Sequence, residues 1–286
     1  MPITGTTQLL GVIGDPIAHS LSPVMHNAAL KELGVDYVYV AFPVAAEGLA
    51  AAIAGFAAIG VRGFSITIPH KQAILPLLAT VTAEARAVGA VNTVWRTEQG
   101  WAGTNTDVAG FIAPLKTLKS WTGSTALVLG NGGAARAIVA GCAQLGFESV
   151  QVVGRRAEAL EAFQQGWVGS PLQPPLTVHP WEVLPSLLPT ADLIVNATPL
   201  GMHTAAGQTP LAAEYLALAQ SQAVVYDLIY TPRPTRLLAL ADQQGLMTLD
   251  GLEMLVQQGA AALAIWLDGP VPVATMRQAL VDWLER

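Results

Sequence analysis

Two short runs carry residues able to move a proton. Ser65-Ile66-Thr67-Ile68-Pro69-His70-Lys71 ends in a lysine one short turn beyond a strand-like stretch, and Asn105-Thr106-Asp107 ends in a carboxylate where a helical pattern opens. Helix signals resume at Pro69, so Lys71 falls near a helix N-terminus, where the dipole disfavours a cation and favours the neutral amine that a base needs. Its other reading is a solvated surface lysine. Asp107 reads either as a helix cap or as a carboxylate aimed into a cleft. A third run, His19-Ser20-Leu21-Ser22-Pro23, offers two hydroxyls at a helix start. Ser22 before Pro23 is a cap followed by a first helical position; together with Ser20 it also suits a small anion at that helix end.

A different chemistry is written at Thr125-Ala126-Leu127-Val128-Leu129-Gly130-Asn131-Gly132-Gly133-Ala134-Ala135. This is strand, tight turn and helix, and its G-x-G-x-x-A spacing fits the dinucleotide fingerprint. Gly130 makes the turn, Gly132 lets backbone approach a pyrophosphate, and Ala135 lets the helix pack close to the strand. The helix from Ala134 to about Leu145 then points unpaired N–H groups at the phosphates. The next strand, Ser149 to Val153, runs into Gly154-Arg155-Arg156 with no carboxylate at its end. An acidic residue there would hold a ribose 2′-hydroxyl, whereas arginine suits a 2′-phosphate, so the cofactor is expected to be NADP rather than NAD. The alternative for this pair is two solvated surface arginines.

Several elements must position these groups. Leu9 to Ile13 reads as a buried strand that breaks at Gly14-Asp15-Pro16, and a helix follows from Ser22 to about Leu33. Asp36 to Phe42 is a second strand, and Ala45 to Ile59 an Ala-rich helix. Gly63 to Ile68 is a third strand, with Ser65 and Thr67 on one face and Phe64, Ile66 and Ile68 on the other. A further helix signal stands at Thr82. Asn92 to Trp95 and Trp101 to Thr104 form a hairpin around Glu98-Gln99-Gly100, and a helix runs from Asn105-Thr106-Asp107 to about Leu118. Later strands at 192–196, 223–226 and 247–249 alternate with helical patterns at 158–165, 212–220 and 235–244, the signature of a doubly wound parallel sheet. A helix covers Leu252 to Leu267. The final helix, Met276 to Glu285, has no place on that sheet and is expected to return to the first domain.

Composition bounds the function class. The 286 residues suffice for two domains, and 52% hydrophobic against 12% charged residues supports a large core. A net charge of −6 argues against nucleic acid and anionic membrane as partners. No apolar run approaches the length of a membrane span, and Met1-Pro2-Ile3-Thr4 lacks a basic signal-peptide region. Cys142 is the only cysteine, so no disulfide forms within the chain, which agrees with a reducing, cytoplasmic setting. The histidines (His19, His26, His70, His179, His203) show no ligand spacing, and no metal is expected. Low charge density leaves apolar surface for self-association, so a homodimer is expected.

Over nearly its whole length the chain resembles the shikimate dehydrogenases. The matching stretches are Gly14 to Pro23, Thr67-Ile68-Pro69-His70-Lys71, Gly89-Ala90-Val91-Asn92-Thr93, Gly103-Thr104-Asn105-Thr106-Asp107, Gly130-Asn131-Gly132-Gly133-Ala134, Asn196-Ala197-Thr198-Pro199 and Asp250-Gly251-Leu252-Glu253-Met254-Leu255-Val256-Gln257-Gln258. The resemblance implies that Ser20 and Ser22 hold the shikimate carboxylate and that Thr67, Asn92 and Gln258 bind ring substituents. It implies that Lys71 and Asp107 are the catalytic pair, both also touching substrate, and that Tyr230 lies near the substrate. Cofactor contacts are implied for Gly130, Asn131, Gly132, Gly133, Ala134, Arg155, Arg156, Thr198, Leu228 and Gly251. Two departures stand out: Ser65 replaces the family's frequent Asn, and Gly154-Arg155-Arg156 replaces its Asn-Arg-Thr phosphate clamp.

The expected fold is α/β with two domains. An N-terminal α/β substrate domain (1–106) is completed by C-terminal helices (251–286), and a Rossmann-type doubly wound NADP-binding domain (107–250) is inserted between them. The implied reaction is reversible, NADPH-dependent reduction of 3-dehydroshikimate to shikimate in aromatic amino-acid biosynthesis. The alternatives are a quinate/shikimate dehydrogenase with relaxed substrate or coenzyme choice, and a non-catalytic NADP or shikimate sensor on the same fold. A sensor has no need of a proton relay, and both relay residues are present.

Overall fold

The computed structural model describes residues 2–202 and 205–286; His203 lies outside the described residues. The first stretch of chain forms β1 (Gln8–Gly14), α1 (Ser22–Leu33), β2 (Tyr37–Pro43), α2 (Leu49–Ala58), β3 (Gly63–Ile66), α3 (His70–Ala73), β4 (Thr80–Val81), α4 (Ala83–Val88), β5 (Thr93–Thr97), β6 (Gly100–Thr104) and α5 (Asp107–Lys116). The second forms β7 (Thr125–Leu129), α6 (Gly133–Gln144), β8 (Ser149–Gly154), α7 (Ala157–Gln165), β9 (Leu176–Pro180), α8 (Leu184–Leu187), β10 (Leu193–Asn196), α9 (Ala213–Leu216), β11 (Val224–Asp227), α10 (Arg236–Gln243) and β12 (Met247–Leu249). Two helices close the chain, α11 (Leu252–Leu267) and α12 (Val273–Leu284).

These elements form two compact units. One comprises Met1–Gly110 with Leu255–Arg286, the other Phe111–Met254. The divisions therefore fall inside α5 and α11, a few residues later than the expected 106/107 and 250/251. Continuous helices cross both junctions, so composition alone has no break to mark there.

In the first unit the sheet order is β2-β1-β3-β5-β6-β4. β1 runs parallel to β2 and β3, but the β5–β6 hairpin makes β5 antiparallel to β3. That reversal brings four chain ends to one edge: the carboxyl ends of β1, β3 and β6 and the amino end of β5. Backbone bonds fasten the edge, with Thr67 N–H donating to Ile13 O (3.0 Å), Ile66 N–H to Asn92 O (2.8 Å) and Asn92 N–H to Thr104 O (3.1 Å). One face of the sheet is backed by Ile13, Ile53, Phe56, Phe64, Ile66 and Val94. A run of rings, Phe42 on Phe56, Phe56 on Phe64 and Phe64 on Trp101, steps across this core at 5.0–5.3 Å. Each such pair contributes about 0.5–1.5 kcal/mol beyond its buried area.

The second unit carries an all-parallel sheet, β12-β11-β10-β7-β8-β9. Counted from β7 this is the doubly wound order, with its switch point between β7 and β10. Its four central strands are mostly apolar and buried (Ala126 to Leu129, Val150, Val152, Val153, Leu193 to Val195, Val224 to Tyr226), as strands covered on both faces require, while no residue of the edge strands β9 and β12 is buried.

Several expected elements are shorter. The helix expected over Ala45 to Ile59 begins only at Leu49, after a 3-10 turn at Ala46–Gly48. The helix expected at 212–220 is one turn, Ala213–Leu216. β3 stops at Ile66, so Thr67 and the exposed Ile68 stand beyond the strand and their alternation is lost. The helix expected at Pro69 is the single turn His70–Ala73, so the dipole it offers Lys71 is that of one turn.

Candidate active site and dinucleotide cradle

The shared edge of the first sheet gathers most of the expected substrate-side groups. The Lys71 Nζ donates to Asp107 Oδ2, and both side chains are largely shielded, 14% and 7% exposed. Asn92 Nδ2 donates to the other carboxylate oxygen at 2.8 Å, to Thr106 Oγ1 at 3.0 Å and to Gln258 Oε1 at 3.3 Å. The amide is oriented by its opposite end, where Oδ1 accepts from Thr106 N–H at 2.7 Å. Gln258 Nε2 in turn donates to Leu255 O at 2.8 Å. Lys71, Asp107, Asn92 and Gln258 thus form one connected set. Thr67 stands on the same edge against Gly14, where a Cβ would lie 2.5 Å from Thr67 Cγ2.

One open reading closes and one capping expectation needs correcting. Asp107 does not cap α5. Asn105 does: its Oδ1 accepts from Asp107 N–H (3.0 Å) and Val108 N–H (3.4 Å), while its Nδ2 donates to Ala90 O (2.9 Å). Asn105 can reach the N–H groups two and three positions on, which frees the Asp107 carboxylate for Lys71. Ser22 does not cap α1 either. It is the first helical residue, Leu21 precedes it as cap, and no side chain caps that end. Ser20 Oγ accepts the Ser22 N–H at 3.3 Å.

One group escaped sequence reasoning. Tyr39 is 2% exposed, and its hydroxyl faces Ser22 and Ser65 yet meets hydrogen-bond geometry with neither. Burial pushes this phenol well above its ordinary range. An orphaned buried hydroxyl is costly unless a ligand satisfies it. A strand tyrosine reads as core, and nothing local in Tyr37-Val38-Tyr39 signals otherwise.

The second unit holds the remaining residues. Gly130 adopts φ +100°, open to glycine, and a Cβ there would press on Thr198 Cγ2 at 3.0 Å. Gly132 is different. Its backbone is ordinary (φ −85°, ψ −171°), and a Cβ there would meet nothing within 4 Å. Neither strain nor packing within the chain requires a glycine, and the space it leaves lies over the amino end of α6, where a pyrophosphate fits. Gly133 and Ala134 open that helix, and the Asn131 Oδ1 lies against Gly154. Arg155 and Arg156 are exposed at the carboxyl end of β8, and neither pairs with a carboxylate among the described residues.

On the other side of β7 from β8, the ends of β10 and β11 are tied together. Asn196 Nδ2 donates to Asp227 Oδ1 (2.9 Å), and its Oδ1 accepts from Thr198 N–H (3.0 Å) and Oγ1 (2.7 Å). Asp227 also accepts from Thr235 Oγ1 (2.7 Å) and Ile229 N–H (3.2 Å). Burial outweighs these bonds and raises its carboxyl to about 6. Leu228 N–H donates to Asn196 O at 3.2 Å, and a Cβ on Gly251 would lie 2.0 Å from Leu228 O, so that approach needs glycine. Tyr230 belongs to this unit, three residues past the end of β11. The chemistry of the donors fits NADP: backbone N–H groups for the pyrophosphate and guanidinium groups for a 2′-phosphate.

Comparison with known proteins agrees with both halves. A shikimate dehydrogenase substrate-binding domain model matches residues 12–94, and a shikimate 5′-dehydrogenase C-terminal domain model matches 251–281. A shikimate dehydrogenase (NADP+) from Trichormus variabilis is 58% identical over 281 residues, 97% of each chain. The chain belongs to the shikimate dehydrogenase family. Solved members share the fold. The shikimate dehydrogenase of Thermus thermophilus, in complex with NADP(H) and shikimate, aligns with TM-score 0.82 at 36% identity over 96% of this chain and 98% of that one. The Listeria monocytogenes shikimate 5-dehydrogenase, with shikimate and NAD, aligns at 0.85 and 34% over 98% of both. The family's α/β, two-domain architecture with a Rossmann-type sheet is therefore this chain's architecture.

Proposed function

We infer that this protein is an NADP-dependent shikimate dehydrogenase, an oxidoreductase that reversibly reduces 3-dehydroshikimate to shikimate in aromatic amino-acid biosynthesis. The observation that carries this reading is the joined set Lys71–Asp107–Asn92–Gln258 at the shared sheet edge. It supports a proton relay set among groups suited to a polyhydroxylated ring.

The coenzyme would supply the hydride as NADPH in reduction and accept it as NADP+ in oxidation. The chain's own residues do the rest. In oxidation Lys71 Nζ, as the neutral amine, takes the proton from the reacting hydroxyl; in reduction its ammonium returns one to the developing alkoxide. Asp107 orients that nitrogen through Oδ2, and Asn92 holds the carboxylate through Oδ1. Ser20 and Ser22 bind the substrate carboxylate, with the Tyr39 hydroxyl free to join them. Thr67, Asn92 and Gln258 bind ring hydroxyls, and the resemblance assigns Tyr230 to the substrate as well. Ser65, buried beside Thr67, is shorter than the Asn often found there, so a ring contact at that point passes to water or is weaker.

In this reading residues Met1–Gly110 with Leu255–Arg286 are the substrate domain, and Phe111–Met254 the NADP domain. Gly130, Asn131, Gly132, Gly133 and Ala134 take the pyrophosphate, Arg155 and Arg156 the 2′-phosphate, and Thr198, Leu228 and Gly251 line the nicotinamide side. A cytoplasmic location and a homodimer complete the proposal, supported by the lone cysteine and the low charge density. No helix among the described residues is long and apolar enough to cross a membrane. The test is an absorbance assay at the reduced-nicotinamide band with NADP+ and either shikimate or quinate. Turnover with shikimate is expected; silence with shikimate overturns the reading, and equal rates on both acids point to the quinate/shikimate alternative.

A further inference from the structure

The first helix of the substrate unit carries a side chain that the proton chemistry does not use. His26 is fully buried, 0% exposed, with Nδ1 at 2.8 Å from Ser22 O and Nε2 at 3.2 Å from Gly259 O. Its ring stacks on Tyr39, with centroids 4.1 Å apart and planes 7° from parallel. Trp266 closes against both rings at 5.6 and 5.8 Å. The approach of α11 depends on glycine: a Cβ on Gly259 would stand 2.2 Å from Met25 Cε and 3.1 Å from His26 Cε1.

Three neighbours of this ring belong to the substrate side or adjoin it. Ser22 is one carboxylate-binding hydroxyl, Tyr39 carries the buried hydroxyl without a partner, and Gln258 precedes Gly259. A neutral imidazole has one N–H to share between two carbonyl acceptors. Burial lowers its pKa to about 4, so near neutral pH it donates to one carbonyl at a time. What stays constant is the rigid flat body, which spans from α1 to α11 and supports the Tyr39 ring. A hydrocarbon side chain of similar volume would fill the space and hold neither carbonyl.

We propose that His26 is a positioning residue that sets the spacing between the Ser22–Tyr39 end of the substrate site and Gln258, and thereby the affinity for shikimate. The proposal rests on the functional reading above. It is tested with His26→Leu, His26→Asn and His26→Gln in the full chain. Asn offers a donor where Nδ1 stands, toward Ser22 O, and Gln one where Nε2 stands, toward Gly259 O. His26→Leu is expected to raise both the KM and the calorimetric Kd for shikimate roughly tenfold, the equivalent of one neutral hydrogen bond. The KM for NADP should stay unchanged and kcat should move much less. Asn or Gln should recover part of the shikimate affinity, which a purely space-filling role would not allow.

A shikimate Kd unchanged in folded His26→Leu overturns the proposal. So does a matching loss for shikimate and NADP, the mark of general loosening. If His26→Leu does not fold, the Asn and Gln variants are read the same way, and wild-type Kd in both overturns it. If the wild-type protein neither binds nor oxidises shikimate, the functional reading falls and the proposal with it. Wild-type binding that is indifferent to residue 26 removes the proposal alone.

Discussion

Lys71 is the residue on which the proposed chemistry turns. Nothing but Asp107 holds its Nζ among the described residues, and the proposed reading gives the carboxylate and ring contacts to other side chains. Lys71→Met keeps the bulk and removes the base, so kcat should fall about 10²–10⁴-fold, with the KM for shikimate changed much less. Asp107→Asn should also lower kcat, and the double variant should be little worse than Lys71→Met, since the two act as a unit. Steady-state kinetics decide: a raised KM with kcat intact would make Lys71 a binding residue. On the cofactor side, Arg155→Asp should weaken NADP far more than NAD, by roughly 1.5–3 kcal/mol for a lost charge-assisted bond. Paired titrations with the two coenzymes measure it, and an unchanged preference would remove Arg155 from the phosphate site.

At the scale of elements, the start of α5 joins folding to the proposed catalysis. Asn105 caps the helix and thereby fixes the backbone from which Asp107 projects. Loss of such a cap costs about 0.5–2 kcal/mol. Asn105→Ala should therefore lower both the melting temperature and kcat, and Asn105→Ser, which restores an acceptor, should recover part of each. A destabilised Asn105→Ala with full kcat would show that the cap does not position Asp107. The antiparallel β5 is the second device. Had β5 run parallel to β3, Asn92 would have entered at the opposite edge, far from Lys71. Local patterning marked the hairpin and the Gly-rich turn because turn residues and alternation are short-range properties. It placed the start of α1 one residue late at Ser22, because neighbouring helix starts read much the same in sequence, and it left Asp107 open between cap and cleft.

On the scale of the whole molecule, each unit holds a buried group whose pKa is displaced, and the two displacements act on stability in opposite directions. His26, in the first, has its pKa lowered from 6.5 to about 4 by burial. The stability this neutral ring lends is present above pH 6.5 and lost as pH falls toward 4. Asp36, lowered by bonds from Thr6 and Thr7, works in the same sense in that unit. Asp227, in the second, is raised from 3.8 to about 6, so its contribution is present below pH 3.8 and lost as pH rises through 6. Each buried group changes stability by at most about 1.4 kcal/mol per pH unit. Acidification from pH 6.5 to 4.5 should weaken the first unit relative to the second. Segment-resolved hydrogen exchange in mild denaturant, corrected for intrinsic rates, reports each unit separately. Parallel shifts, or persistence of the opposition in a His26→Gln, Asp227→Asn protein, would contradict the assignment.

The amino-acid sequence by itself determined the parts whose physics is local. Alternation and apolar runs made the strands, glycine punctuation made the dinucleotide turn, and the absence of a carboxylate after Val153 with two arginines in its place set the coenzyme expectation. Tertiary structure decided what meets what. Gln258 reaches Asn92 across 166 residues, because the chain returns to the first unit through α11. Asp107 is free for Lys71 because Asn105 takes the cap, and the Tyr39 hydroxyl is left unpartnered because Ser22 and Ser65 face it without bonding. Such contacts depend on strand order, strand direction and the close approach of helices at single glycines. None of these has a period that a linear sequence displays.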